Sequence, residues 1–175
     1  AGQILEETGI KGGLMVHLGC GDGKLTAALR AGDSFLVQGL DTDPANVAKA
    51  REYIRQRGIY GKVSVCDWSG DRLPYGDNVV NLVVASGEWQ VASEEILRVL
   101  TPGGVGVFLN RKSKIENRKC VKPWPDEIDE WTHFLYDASG NAVSRDRTVA
   151  PPRRLQWDGE PRWSRSHETD MSLTA

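Results

Sequence analysis

Three glycines at alternate positions, Gly19, Gly21 and Gly23, directly follow the apolar run from Leu14 to Leu18. That arrangement suits the seating of a nucleotide-type cofactor at the end of a first parallel strand. There the chain must turn sharply, let a ligand approach the backbone, and pack a helix on the strand. Glycine meets all three demands because it has no Cβ and tolerates positive φ. Two carboxylates extend the pattern. Asp41 closes a second apolar run 22 positions after Gly19, close to the roughly 20 expected for a ribose-binding acid. Asp67 closes a third. A carboxylate can accept both hydroxyl hydrogens of a ribose, or a hydrogen from an exocyclic amine. Parallel strands point their carboxyl ends to one edge, so the glycine turn, Asp41 and Asp67 are expected together there.

Positioning these groups requires alternating strands and helices, and residues 3 to 109 supply them in regular order. A weak helix around Ile4 and Leu5 ends near Gly9. The strand Leu14 to Leu18 precedes a helix from Lys24 to Ala31, with Leu25, Ala28 and Leu29 on one face and Gly32 as its stop. Phe35 to Leu40 reads as a second strand, interrupted by Gln38 and Gly39. Asp43-Pro44 combines an N-cap with proline at the first helical position, opening a helix to Gly58. Val63 to Val65 and Val79 to Val84 read as the third and fourth strands, with Leu73 to Asp77 as a loop between them. Glu94 to Leu100 reads as a helix that Thr101-Pro102-Gly103-Gly104 breaks, launching a fifth strand from Val105 to Leu109.

A nicotinamide dinucleotide would call for G-x-G-x-x-G, and Lys24 stands where its third glycine belongs. A different family fits better. Val16 to Gly23, Gly39-Leu40-Asp41-Thr42-Asp43-Pro44, Cys66-Asp67 with Leu73-Pro74-Tyr75, Val79 to Val84, and Leu97 to Gly104 together resemble the class I S-adenosylmethionine-dependent methyltransferases over residues 1 to 109. The resemblance implies a Rossmann-like α/β fold with a parallel sheet and S-adenosylmethionine as cofactor. It implies that Gly19, Gly21 and Gly23 line the methionine and ribose, that Asp41 binds the ribose hydroxyls, and that Asp67 meets the adenine amine. Trp68 would offer its backbone amide or its ring face to the adenine. Cys20 and Thr42 lie within the same matching segments and complete the expected contacts. His17 stands where the family usually has an acidic residue that orders the cofactor's amino group, and Asn81 where it often has aspartate. No acceptor signature follows the fourth strand. Glu88 could serve as a base and Trp89 could stack a planar substrate, or both could be plain surface residues.

Composition narrows the setting. With 22 basic and 24 acidic side chains the net charge is -2, which argues against a dedicated nucleic-acid or membrane-surface protein. No apolar run approaches the roughly 18 to 20 residues of a membrane helix. No signal peptide is visible, and an opening at Ala1 suggests processing or a fragment. Cys20, Cys66 and Cys120 match no zinc or redox spacing and read as free thiols, so no metal is expected.

The expected organisation is a cofactor-binding domain over 1 to 110, a basic linker over 111 to 126, and a tail rich in tryptophan and proline over 127 to 175. The family's usual last strands are expected to be missing, with Arg154 to Trp157 as a candidate substitute on the sheet edge. Glu130-Trp131-Thr132-His133 through Leu155-Gln156-Trp157 resembles the opening of a pyrroloquinoline-quinone-type β-propeller repeat protein. Two functions are therefore expected in competition. One is methyl transfer to a small-molecule or unidentified acceptor, in the cytoplasm. The other is a non-catalytic methyltransferase-like module attached to a propeller, at the cell envelope or in the periplasm.

Overall fold

The computed structural model describes residues 1–68, 72–87, 91–109 and 118–148. Among them the chain forms α1 (Gly2–Thr8), β1 (Gly13–Leu18), α2 (Lys24–Leu29), β2 (Phe35–Asp41), α3 (Pro44–Gln56), β3 (Val63–Asp67), β4 (Val80–Ser86), α4 (Ser93–Val99), β5 (Leu100–Leu109) and β6 (Arg118–Val121). The strands make one sheet in the order β3-β2-β1-β4-β5-β6. The first five are parallel and β6 is antiparallel. Strand order reverses beside β1, which is where open α/β sheets leave a crevice for a ligand.

Side chains along each strand alternate between two cores, as the period of two requires. Met15, Leu82 and Val84 join Ala27, Leu29, Ala50 and Ile54 on the face covered by α1, α2 and α3. Val16, Leu18, Val83 and Ala85 join Ile96 and Val99 on the face covered by α4. Met15, Leu18, Leu29, Ile54 and Leu82 are fully buried, each worth roughly 1.5–3 kcal/mol relative to exposure. Parallel strands covered on both faces read as continuous apolar runs, which is why they stand out in the sequence. The cap of α3 is the expected one: the Asp43 side chain accepts from the Ala45 N–H at 2.8 Å, with Pro44 at the first position.

Several features depart from expectation: α2 ends at Leu29 and buries Thr26, Ala27 and Leu29 while Ala28 is exposed. β5 begins at Leu100, directly after α4. Val80 pairs with Leu100 and Leu82 with Val105, so Thr101 to Gly104 bulge out opposite Asn81. Proline and glycine here mark a bulge inside a strand, a role they share with turns. The segment expected as linker contains β6, whose residues Arg118 to Val121 pair with Phe108 to Val105 and extend the sheet past β5. Basic residues in and beside it hid it: Lys119 Nζ donates to the Glu7 carbonyl at 2.8 Å, and Lys122 Nζ, just past the strand, to Asn78 Oδ1 at 2.5 Å. Asn81 lies at the amino end of β4, away from the edge with Asp41, and its Oδ1 accepts from the Leu14 N–H at 3.0 Å. It completes the pairing of β1.

The chain divides into two compact units, Ala1–Pro125 and Asp126–Ala175. In the second, the Asp129 carboxylate accepts from the Tyr136 hydroxyl and from the Arg145 N–H. The Tyr136 carbonyl accepts from the Thr132 and His133 N–H groups. Arg154 to Trp157, the expected substitute strand, lie outside the described residues, as does the part of the propeller-like segment beyond residue 148.

Candidate functional site

The carboxyl ends of β1, β2, β3 and β4 bring the expected groups to one edge. Leaving β1, the chain turns toward β2, and the Gly19 and Cys20 N–H groups both donate to the Leu40 carbonyl, at 2.8 and 3.3 Å. Gly19, Gly21 and Gly23 all adopt positive φ, at 75°, 53° and 77°. Their surroundings differ. A Cβ on Gly21 would meet nothing within 4 Å, so a ligand can reach the backbone there. A Cβ on Gly23 would lie 2.8 Å from the Ala50 Cβ and 2.9 Å from its Cα. Gly23 thus lets α2 start against α3. Gly39 has a matching reason to interrupt β2: its missing Cβ would fall 2.9 Å from the Cys20 Cβ and 3.1 Å from Thr26 Cγ2.

Asp41 is 5% exposed at the end of β2. Its Oδ1 accepts from the Asp43 N–H at 3.0 Å and from Asn46 Nδ2 at 3.2 Å, and its Oδ2 from the Gly21 N–H at 2.8 Å. Burial alone would favour the neutral acid, but these donors outweigh it and hold the carboxyl below its ordinary pKa. A negative charge is therefore fixed beside the turn. Cys20 beside it is buried, and burial followed by the Asp41 charge pushes its thiol up to about 12. The sulfur stays protonated and is no nucleophile at neutral pH.

Asp67 is the register partner of Asp41 on β3 and is exposed, one strand spacing away. Thr42 is exposed at the same edge. Trp68 corrects part of the expectation. Its backbone N–H donates to the Asp41 carbonyl at 2.9 Å, and its indole N–H to the Arg72 carbonyl at 3.1 Å. The amide extends the β2–β3 pairing and is not on offer to an adenine, while the ring packs against the α4-side core.

His17 points to the α2 face of β1 and is 1% exposed. Nδ1 lies 2.7 Å from Thr26 Oγ1 and Nε2 2.8 Å from Ser86 Oγ. Burial pulls its pKa down to about 4 against the opposing pull of Asp41, so the imidazole is neutral. Thr26, Asn46 and Ser86 had not been expected at the site. Ser86 carried a signal, as a polar residue ending an apolar strand before Gly87. Thr26 sat unremarked among apolar helix positions, and Asn46 only becomes visible once Asp41 is known to need donors. Glu88 and Trp89 lie outside the described residues. Among the described residues, no cluster of metal-ligating side chains occurs, and no helix is long and apolar enough to cross a membrane.

These groups fit the adenosyl half of S-adenosylmethionine: open space at Gly21, an ionised acceptor at Asp41, a second carboxylate at Asp67. Comparison with known proteins bears on the domain as a whole. A family profile described as a methyltransferase domain matches residues 15–104. The ubiquinone/menaquinone biosynthesis C-methyltransferase UbiE of Yersinia enterocolitica is 26% identical over 162 residues, 86% of this chain and 62% of that protein. The chain thus spans less than two thirds of that curated relative. A crystal structure of an S-adenosylmethionine-dependent methyltransferase from Aquifex aeolicus superposes with a TM-score of 0.54 at 22% identity, over 61% of each chain. The [4+2]-cyclase SpnF superposes with a TM-score of 0.54 at 29% identity, over 61% of this chain and 42% of that one. A cyclase on this architecture shows that the fold by itself does not name the reaction.

Proposed function

The chain belongs to the methyltransferase-domain family, and on that premise we propose that it binds S-adenosylmethionine at the carboxyl edge of its sheet and transfers the methyl group to a small-molecule acceptor. The observation that carries this reading is Asp41, an ionised, buried carboxylate hydrogen-bonded to the glycine turn. The cofactor supplies an activated methyl with its own leaving group, so the protein's task is positioning. Asp41 accepts the ribose hydroxyls beside the donors it already holds, the Gly21 and Asp43 N–H groups, Asn46 Nδ2 and the Cys20 thiol. Asp67 faces the adenine side. Gly21 lets the ligand close on the backbone, and Gly19 directs the chain across to β2.

Titration of the chain with S-adenosylmethionine, S-adenosylhomocysteine and NADH by calorimetry tests the reading. Micromolar binding of the two adenosyl ligands, absent for NADH and lost in Asp41→Ala, is the expected result. No heat and no thermal shift at millimolar ligand would sink it. That outcome would favour the alternative of a non-catalytic module beside a propeller, which the segment Glu130 to Trp157 supports by resemblance alone.

A further inference from the structure

His17 lies on β1, the strand beside which strand order reverses, so the crevice opens just past its carboxyl end. Its ring reaches to both sides of that crevice. Nδ1 lies 2.7 Å from Thr26 Oγ1 on α2, the helix launched by the glycine turn, and Nε2 lies 2.8 Å from Oγ of Ser86, the last residue of β4. The β1–β4 pairing ends at Leu18 and Ala85. The contact to Ser86 therefore ties β4 to β1 one residue past their last backbone pair.

The direction of these bonds follows from Thr26. It is fully buried, and its Cγ2 faces Gly39, 3.1 Å from where a Cβ there would lie, which leaves Oγ1 toward β1. Thr8 shows the other use of a helical hydroxyl, donating to the Ile4 carbonyl one turn back at 2.7 Å. Thr26 makes no such bond among the described residues, and its hydroxyl meets His17 Nδ1. A buried O–H left without an acceptor is costly, so Thr26 donates to Nδ1. The imidazole is neutral because burial holds its pKa down to about 4, and its single proton then sits on Nε2 and is donated to Ser86 Oγ.

We propose that His17, held by Thr26 as the Nε2–H tautomer, is a positioning residue that braces the two lips of the crevice, the glycine turn with α2 on one side and the end of β4 on the other. A ligand seated in the crevice touches both lips, so their separation is part of its fit. This inference rests on the adenosyl-binding reading above.

Long-range proton–nitrogen NMR of the full chain without ligand reads the tautomer. Nε2 protonated and Nδ1 bare is the expected state of His17, and a proton on Nδ1 overturns the proposal. Calorimetry with S-adenosylhomocysteine reads the brace. Counting bonds from Cα, the Asn amide ends where Nδ1 sits and the Gln amide where Nε2 sits. His17→Asn therefore keeps the contact to Thr26 and loses Ser86, and should weaken binding by about tenfold or more, as should Ser86→Ala. His17→Gln can donate to Ser86 again and should restore most of that loss. Affinity within about threefold of wild type in both His17→Asn and Ser86→Ala overturns the brace while leaving the cofactor site intact. His17→Gln as weak as His17→Asn overturns Nε2 as the working contact. Failure of the wild-type chain to bind overturns the adenosyl reading and this inference with it. The tautomer is read in the wild type, so a poorly folding variant does not shelter the proposal.

Discussion

Gly21 and Gly23 look alike in the sequence and are expected to behave differently when mutated to alanine. Both hold left-handed backbone, at φ 53° and 77°, so each Ala variant incurs about 1–2 kcal/mol of conformational strain. Only at Gly23 does the added methyl strike something, the Cβ and Cα of Ala50 at 2.8 and 2.9 Å. Backbone is not a flexible neighbour, and forcing α2 from α3 adds about 1–3 kcal/mol of overpacking. Gly23→Ala should therefore cost about 2–5 kcal/mol in all, and Gly21→Ala about 1–2. Urea denaturation with an unchanged m-value reads this difference. An Ala50→Gly background removes the clash between the two methyl groups and leaves only the crowding against the α3 backbone. The cost of Gly23→Ala should then fall by at least about 0.5 kcal/mol, a coupling seen only between touching residues. Affinity for S-adenosylhomocysteine should move the other way, weakening more in Gly21→Ala, where the space is open to ligand. Equal stability losses at the two glycines with no coupling to Ala50 would refute the division between a packing glycine and a ligand-facing one.

Other outcomes follow from the same structure. His17 has its pKa lowered from 6.5 to about 4, so between those values the unfolded chain takes up a proton that the folded chain refuses. Stability should rise with pH across that window by up to about 3 kcal/mol, and His17→Gln should flatten the slope measured by denaturation at pH 4.5 and 7. Asp41 has the opposite sense: its contribution is full above the ordinary carboxylate pKa and lost as pH falls through its lowered folded value. Asp41→Asn should therefore remove part of the acid sensitivity below pH 4. Asn81→Leu leaves the Leu14 N–H without its acceptor and should cost about 1–3 kcal/mol. Asn81→Asp keeps the acceptor and should cost less, with ligand affinity unchanged in both. Arg98 joins Glu95, Asp77 and the Leu73 and Tyr75 carbonyls, so Arg98→Met should speed hydrogen exchange across residues 73 to 78.

The parts of this molecule that were legible in the sequence are those where local pattern and tertiary role coincide. β1 and β4 are buried on both faces and advertise themselves as apolar runs. The α3 cap uses a side chain and a proline adjacent in sequence. Asp41 closes a strand at a spacing that parallel topology dictates. What stayed hidden depends on partners distant in the chain. Thr101 to Gly104 carry turn residues, and only pairing with β4 shows them to be a bulge. β6 and the residue after it are basic, Lys119 and Lys122 reaching the α1 and α4 carbonyls, and a strand this short has little alternation to read. Gly23 and Gly39 have purposes set by Ala50, Cys20 and Thr26, tens of residues away or across a strand. His17 read as a departure from an acidic position, and its two hydroxyl partners become apparent only when α2 and β4 are folded around it.

The claim that Asp41 receives a ribose diol is tested most directly by the affinity of S-adenosylhomocysteine against its 2′-deoxyribose analogue, in wild type and in Asp41→Asn. The account predicts that the wild-type chain prefers the diol by about tenfold or more, as the loss of a hydrogen bond to a charged acceptor requires. It predicts that Asp41→Asn largely erases the preference. The same preference in both proteins, or none in the wild type, would contradict it.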